Sequence, residues 1–321
     1  MRHLQIETAD TLTRRAALGA IGSAAAVALA GCAGGGRPEA ATAGGGVGDG
    51  VRPVRTMSLA EWSLNRSIKA GTLTTLDFPV AARRDYGIGA VEYVSTLFAG
   101  HGLEAGYLRD LRSRCDGEGV RSVLIMIDGE GDLGAPDAAA RNDAVERHLR
   151  WADSARRLGC FAIRVNARSE GTREEQLSRC ADGIGALADR ASGLGIAVIV
   201  ENHGGISSDG SWMAALMRAL ARPNCGTLPD FGNFRMEGGA QYDRYKGIGE
   251  MLPWARDVSA KSYAFDADGN ETTIDYARMF RILDDAGYAG WVGIEFEGKQ
   301  MSEPDGIRAT RRLLERMGVR A

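Results

Sequence analysis

Three segments of the chain end in a carboxylate: Ile199-Val200-Glu201-Asn202-His203, Leu228-Pro229-Asp230-Phe231 and Gly293-Ile294-Glu295-Phe296-Glu297. Each carboxylate closes a short run of apolar or β-branched residues with the length of a strand. If the three runs are strands pointing the same way in one sheet, Glu201, Asp230 and Glu295 converge at its end. Unpaired negative charges so placed repel strongly in a partly dry pocket, and a divalent cation relieves the repulsion. Oxygen ligands suit Mg²⁺ or Mn²⁺, with Zn²⁺ also admitted. Singly, each acid reads equally well as a helix N-cap or the partner of an arginine. It is the set of three that points to a metal.

Further polar residues close other runs. His203 is a candidate base, because imidazole titrates near neutrality, or else a hydrogen-bonding residue of its turn. Lys261, in Asp257-Val258-Ser259-Ala260-Lys261, would hold a substrate hydroxyl or balance the nearby acids. Glu61 and Trp62, Glu92 and Tyr93, Asp128, and Arg164 and Asn166 end four more runs, and Asn202 follows Glu201. Trp62, Glu92, Asp128, Arg164, Asn166 and Asn202 are the candidate substrate contacts, a set suited to a small carbohydrate with C–H faces to stack and hydroxyls to satisfy. His101 falls in a loop that reaches toward the same end. His148 falls within a helix and reads as a surface or packing residue.

What must position these residues is an alternation of strands and helices. Eight strand candidates follow one another: RTMSLAEW, IGAVEYV, VRSVLIMID, FAIRVNA, IAVIVEN, CGTLPDF, DVSAKSY and WVGIEFE. Amphipathic stretches separate them. In DAAARNDAVERHLRWADSARRLG, Val145, Leu149 and Ala152 share a helical face and Gly159 ends it as a C-cap. REEQLSRCADGIGALADRASGLG is another such helix, and ATRRLLERMG is the last. Strands alternating with helices make parallel βαβ units, and eight of them make a (β/α)₈ TIM barrel. An open doubly wound sheet carries a Gly-rich phosphate turn after its first strand, and no G-x-G-x-x-G stands there. In a barrel, strand C-terminal ends form the functional face.

The strings VIVENHGG, LPDFGNF, VSAKSY and GIEFEG resemble the last four strand ends of the xylose isomerase-like sugar isomerase/epimerase superfamily. That resemblance implies one divalent metal held through Glu201, Asp230 and Glu295. It also implies that Glu201 and Glu295 face opposite sides of a substrate carbon, one removing a proton next to a carbonyl and the other returning it. The family's remaining ligand is a histidine two residues before the lysine, and Ser259 stands in its place. Three carboxylates completed by water, a site completed by His203, and a site without metal all remain open. The implied activity is sugar isomerisation or epimerisation through an enediolate. The same intermediate serves a lyase acting on 3-keto-glycosides or C-glycosides, and a non-catalytic sugar-binding lipoprotein is the reading of another class. The superfamily's DNA endonucleases hold several zinc ions with many histidines, and this chain of 321 residues has four.

Composition is that of an ordinary soluble globular protein: 44% apolar residues, 25% charged, and a net charge of −3. No basic run provides a phosphate-backbone footprint, so nucleic acid is not an expected partner. Ahead of the barrel, Thr13-Arg14-Arg15 precede a weakly apolar stretch that ends Leu29-Ala30-Gly31-Cys32. This is the layout of a twin-arginine export signal with a lipoprotein processing site, which makes residues 1–32 a signal and Cys32 a lipidation site. The alternative is an uncleaved membrane anchor. Residues 33–52 read as a flexible Gly-rich linker and 53–321 as the barrel. The expectation is an exported periplasmic or cell-surface lipoprotein that meets the membrane through its lipid alone. Homo-oligomerisation through the outer helices is left open. Cys115, Cys160, Cys180 and Cys225 are too widely spaced for a zinc site and are expected as buried free thiols.

Overall fold

Eight parallel strands stand on the predicted segments: β1 Arg55–Ala60, β2 Ala90–Val94, β3 Arg121–Met126, β4 Ala162–Asn166, β5 Ala197–Glu201, β6 Cys225–Leu228, β7 Asp257–Ser262 and β8 Trp291–Phe296. The computed structural model describes residues 53–321. The paired arginines, Cys32 and the Gly-rich segment lie outside the described residues.

Hydrogen-bonded neighbours run β6-β5-β4-β3-β2-β1-β8-β7. The seam between β6 and β7 is closed more sparingly. Arg256 N donates to Thr227 O and Ser259 N to Pro229 O, both at 3.0 Å, and Phe231 N donates to Ser259 O at 3.1 Å. Proline has no N–H to give, so the regular ladder of β6 stops before Pro229 and Asp230 emerges at the mouth. The result is a (β/α)₈ TIM barrel. A two-residue strand absent from the sequence reading, Val319–Arg320, pairs with the start of β1.

The helices follow their local signals. Ala138–Leu158 is capped by the Asp137 side chain and ends at Gly159, whose φ of 80° is the left-handed conformation that glycine adopts without steric cost. Arg173–Ser192 opens with a reciprocal capping box between Thr172 and Glu175. The last helix begins earlier than its apolar pattern indicated, at Glu303, because Ser302 caps it through Asp305 N. The four cysteines of the described residues are buried free thiols. Among the described residues, no helix is long and apolar enough to cross a membrane.

Side-chain alternation divides each strand between two environments. Val258 and Ala260 pack outward against the helices, while Asp257, Ser259 and Lys261 face the barrel interior. The interior is aliphatic beneath β3 to β6, where Leu124, Ala162, Ala197, Ile199 and Leu228 cluster. Buried polar side chains, Ser58, Glu92, Asp257 and Ser259, stand on β1, β2 and β7. There Ser58 donates to Glu92, and Gly293 is required, since a Cβ at that position would lie 2.5 Å from the Glu92 carboxylate.

Glu92 is therefore one layer below Glu295, at 1% exposure. The sequence placed it at the mouth as a substrate contact, but its side chain turns into the floor of the barrel. Burial pushes its carboxyl up to about 8. An acid raised in this way carries an unfavourable folding term that is absent below its unfolded value of about 4.5 and grows until pH ~8. Glu92→Gln is accordingly expected to stabilise the fold by about 2–4 kcal/mol at pH 8 and by little at pH 5. Urea unfolding at the two pH values checks this. An equal gain at both would mean that ionisation is not the cause.

Candidate active site

The mouth of the barrel holds a cavity of about 530 Å³. One wall is formed by Trp62, Glu295 and Glu297, and the middle by Asp128, Arg164, Asn166 and His203. The far wall is formed by Glu130, Asp132 and Arg168 with His148 of the helix Ala138–Leu158.

Glu295, on the cavity wall, forms a cluster with Glu201 and Asp230, with one oxygen from each lying within 4.8 Å of the others. All three are buried. Asp230 is aimed by its neighbours. Its Oδ1 accepts from Gly232 N at 2.7 Å and Asn233 N at 2.8 Å. Its own N–H donates to Asn202 Oδ1 at 2.7 Å, while Asn202 Nδ2 donates to Asp230 O and Asn233 O. Asn202 is thus fully occupied as a strut between β5 and β6 and does not line the cavity, contrary to its expected role as a substrate contact.

Glu201 Oε1 accepts from Asn233 Nδ2 at 2.9 Å. Its Oε2 lies 2.8 Å from Arg164 Nε. That contact is out of line for a hydrogen bond, so both atoms remain without one. Asp230 Oδ2 likewise has no hydrogen-bond partner. Both oxygens of Glu295 are engaged, Oε2 by Ser259 Oγ at 2.7 Å and Oε1 by Lys261 Nζ at 2.8 Å. Lys261 also approaches Glu297 Oε1 at 3.3 Å and Asp230 Oδ2 at 3.6 Å. It sits among the acids as their counter-charge. Arg164 carries the second positive charge. Its Nη1 donates to Asp128 Oδ1 at 3.0 Å, and Asn166 Nδ2 reaches the same oxygen at 2.7 Å.

These surroundings separate the acids. Burial pushes Glu201 and Asp230 up to about 7, against the pull of Arg164 on the first and Lys261 on the second. Glu295 is also buried, but Lys261 and Ser259 outweigh the loss of water and hold it below its ordinary value. Asp128 loses water too, yet Arg164 brings it down to about 2. His203 is shifted down by burial and by Arg164, so its ring is neutral near pH 7. Its backbone N–H is tied to Ser207 Oγ at 2.9 Å, and Gly204 and Gly205 take positive φ values of 85° and 60° to make the turn.

The donor set fits a divalent cation. Two buried carboxylate oxygens, Glu201 Oε2 and Asp230 Oδ2, have no hydrogen-bond partner within one cluster of acids, and burial first, with repulsion from Glu295 added, raises their proton affinity. Ser259, at the position where the resemblance implies a histidine, is used instead to orient Glu295. His203 lines the cavity but is not part of the three-acid cluster.

A family model described as xylose isomerase-like TIM barrel matches residues 80–317. The chain belongs to that family. Among solved structures, this xylose isomerase-like barrel is similar to L-ribulose 3-epimerase, with a TM-score of 0.64 at 16% identity over 82% of this chain and 94% of that one. It is similar to the 3-keto-D-glucoside 4-epimerase of E. coli, also with a TM-score of 0.64, at 12% identity over 82% and 99% of the two chains. A curated relative, the alpha subunit of 3'-dehydrocarminate deglycosidase from Microbacterium sp., is 34% identical over 55 residues. That match spans 17% of this chain and only 16% of the relative's length.

Sequence reading missed two residues that line the cavity. Glu297 accepts from Trp62 Nε1 at 2.6 Å and joins the ends of β1 and β8. Its spacing of two from Glu295 was the available signal. His148 is buried on the cavity wall. Its place three residues after Val145 and four before Ala152 puts it on the inward face of its helix. Three other candidates lie elsewhere. His101 is exposed, stacked on Tyr107 and bonded to Glu104. Tyr93 packs between Phe78 and Phe98. Glu61 is buried and accepts from Val94 N at 2.9 Å.

Proposed function

We propose that this protein is a divalent-cation-dependent sugar isomerase or epimerase that removes a proton from the carbon next to a carbonyl. The observation that carries the reading is the division of labour between two buried glutamates on one cation-ready cluster. Glu295 is held ionised, while Glu201 is raised to about 7. Two groups whose surroundings push their proton affinities apart are suited to act as base and acid.

A cation held by Glu201, Asp230 and Glu295 supplies Lewis acidity toward the carbonyl and its neighbouring hydroxyl. The residues do the rest. Glu295 takes the C–H proton, and the electron pair moves into the carbonyl to give an enediolate. Glu201 returns a proton from the opposite side. Lys261 stays charged, since Asp230, Glu295 and Glu297 outweigh its loss of water, and it keeps Glu295 from being protonated beforehand. His203, neutral on the cavity wall, is a second base within the same space.

A lyase acting on 3-keto-glycosides is the second reading, and the 55-residue likeness to a deglycosidase subunit favours it. There the same enediolate expels a leaving group instead of being reprotonated. Keto-sugars and methyl 3-keto-glucoside incubated in D₂O with Mn²⁺ separate these outcomes by NMR. Deuterium at the carbon next to the carbonyl with an epimer supports the first reading, and release of methanol supports the second. No exchange with any keto-sugar rejects both.

Cation binding has its own expected signature. Mn²⁺ at about 100 times its Kd contributes about 2.7 kcal/mol, which for a domain of this size raises Tm by roughly 5–10 °C. Asp230→Asn is expected to abolish most of that rise. A wild-type Tm indifferent to every divalent cation would remove the metal from the mechanism.

We also propose that the chain is exported through its paired arginines and anchored through lipid on Cys32. Palmitate labelling of the membrane fraction, lost in Cys32→Ser, is the expected result. Soluble unlabelled protein would contradict it.

A further inference from the structure

Proton transfer next to a carbonyl needs one sugar ring against Glu201, Asp230 and Glu295. The cavity of about 530 Å³ continues well beyond that point. It is within the roughly 300–1,000 Å³ of sites that take drug-sized ligands, of which a single sugar ring fills a minor part. The surplus lies on one side only, past Asp128 and Arg164, between the loop that carries Glu130 and the helix Ala138–Leu158.

That wall is built rather than incidental. Trp151 Nε1 donates to Glu130 Oε1 at 2.7 Å, and Arg147 Nε donates to Glu130 O at 3.0 Å, so two helix residues clamp the loop. Between them in sequence is His148, only 3% exposed. Its Nδ1 lies 2.7 Å from the carbonyl oxygen of Ala144. A carbonyl accepts only, so Nδ1 carries the proton and Nε2 keeps its lone pair. Among the described residues no side chain or backbone group bonds to that Nε2, and the ring forms part of the cavity wall. Nearby Asp128 is spent on Arg164 and Asn166. The imidazole is thus an uncommitted acceptor in a fixed orientation, and burial, which lowers its proton affinity, keeps it neutral.

We propose that His148 defines a second subsite, in which Nε2 accepts a hydrogen bond from a hydroxyl on a ring linked to the sugar held at the carboxylates. The ligands preferred by this protein are then glycosides with a hydroxylated second ring rather than free monosaccharides. The inference rests on the reading of the mouth as a sugar site and specifies its substrate class. The hydroxyl belongs to a second sugar or to a phenol, and both present the same donor to the imidazole.

Calorimetric titration of the full chain with Mn²⁺ present tests it, using methyl β-D-glucoside, cellobiose and 4-hydroxyphenyl β-D-glucoside as probes. At least one two-ring probe is expected to bind about 10-fold tighter than the methyl glucoside, and which one does so identifies the second ring. His148→Leu is expected to remove that advantage and leave methyl glucoside binding unchanged. His148→Gln, whose amide oxygen can accept in place of Nε2, is expected to restore part of it. A measurement on the wild type needs no variant to fold. In ¹⁵N-labelled protein the His148 Nε2 resonance should be that of an unprotonated nitrogen, and should shift with the tighter probe but not with methyl glucoside. Equal affinity for all three probes, equal weakening of all by His148→Leu, or an unmoved Nε2 resonance overturns the subsite. In each of those cases methyl glucoside still binds and the sugar site stands. Failure of every probe to bind the wild type overturns both.

Discussion

Glu295→Gln is expected to lower the rate of deuterium exchange next to a carbonyl by about 10³-fold or more, the range found when a positioned general base is removed. That loss corresponds to about 4 kcal/mol of transition-state stabilisation. The substitution is nearly isosteric, so the packing under Ser259 and Lys261 is kept, and what disappears is the negative charge. A glutamine cannot take the proton. It also leaves Lys261 facing only Asp230 and Glu297 at 3.6 and 3.3 Å. Metal content measured beside the exchange rate divides the effect. Full occupancy with lost exchange assigns the loss to the base, while lost occupancy assigns it to cation binding. A variant that keeps both its metal and the wild-type exchange rate would sink the proposed mechanism.

Arg164→Met is expected to cost about 3–5 kcal/mol of folding stability, the usual cost of removing one partner from a buried ion pair. Arg164 stands between Glu201, 2.8 Å from Nε, and Asp128, 3.0 Å from Nη1. Methionine fills much the same volume but leaves two carboxylates without their counter-charge. The dependence on pH is the diagnostic part. Asp128 is held down at about 2, below its ordinary value of 3.8. A carboxyl depressed in the folded state contributes stability above its unfolded pKa, and that contribution fades as pH falls through its folded value. The variant never has this contribution. Its deficit against wild type should therefore be full at pH 7 and shrink progressively below pH ~4 toward pH 2. Urea midpoints across that interval measure it. A deficit that does not change with pH would make packing, not charge, the function of Arg164.

Strand and helix positions were legible because they follow from patterns that need few neighbours. Alternation in Asp257–Ser262 assigns Val258 and Ala260 to one environment and Ser259 and Lys261 to the other, whatever lies across the sheet. Gly159 and the pair Thr172 and Glu175 end or begin helices through bonds made within a few residues. Eight such units in alternation restrict the architecture to a barrel, and a barrel gathers its strand ends at one face. Local information also marked Glu201, Asp230 and Glu295 as residues of that face.

The depth and direction of each side chain needed the assembled fold. Glu92 and Glu295 both lie near strand ends, yet the stagger of the strands sets Glu92 a layer lower, over Gly293. There it loses water and gains no cation, while Glu295 has Lys261 and Ser259 beside it. Asn202 adjoins Glu201 in sequence, but the turn after β6 takes its whole amide. His148 belongs to a helix whose inward face is apolar packing for most of its length and cavity wall at one point. Sequence by itself determined which elements form and which residues stand at their ends, since those depend on hydrophobic period and on short-range capping. Tertiary structure alone decided which of those residues share a charge, because proton affinity and cation binding depend on distances of a few ångströms between strands far apart in the chain.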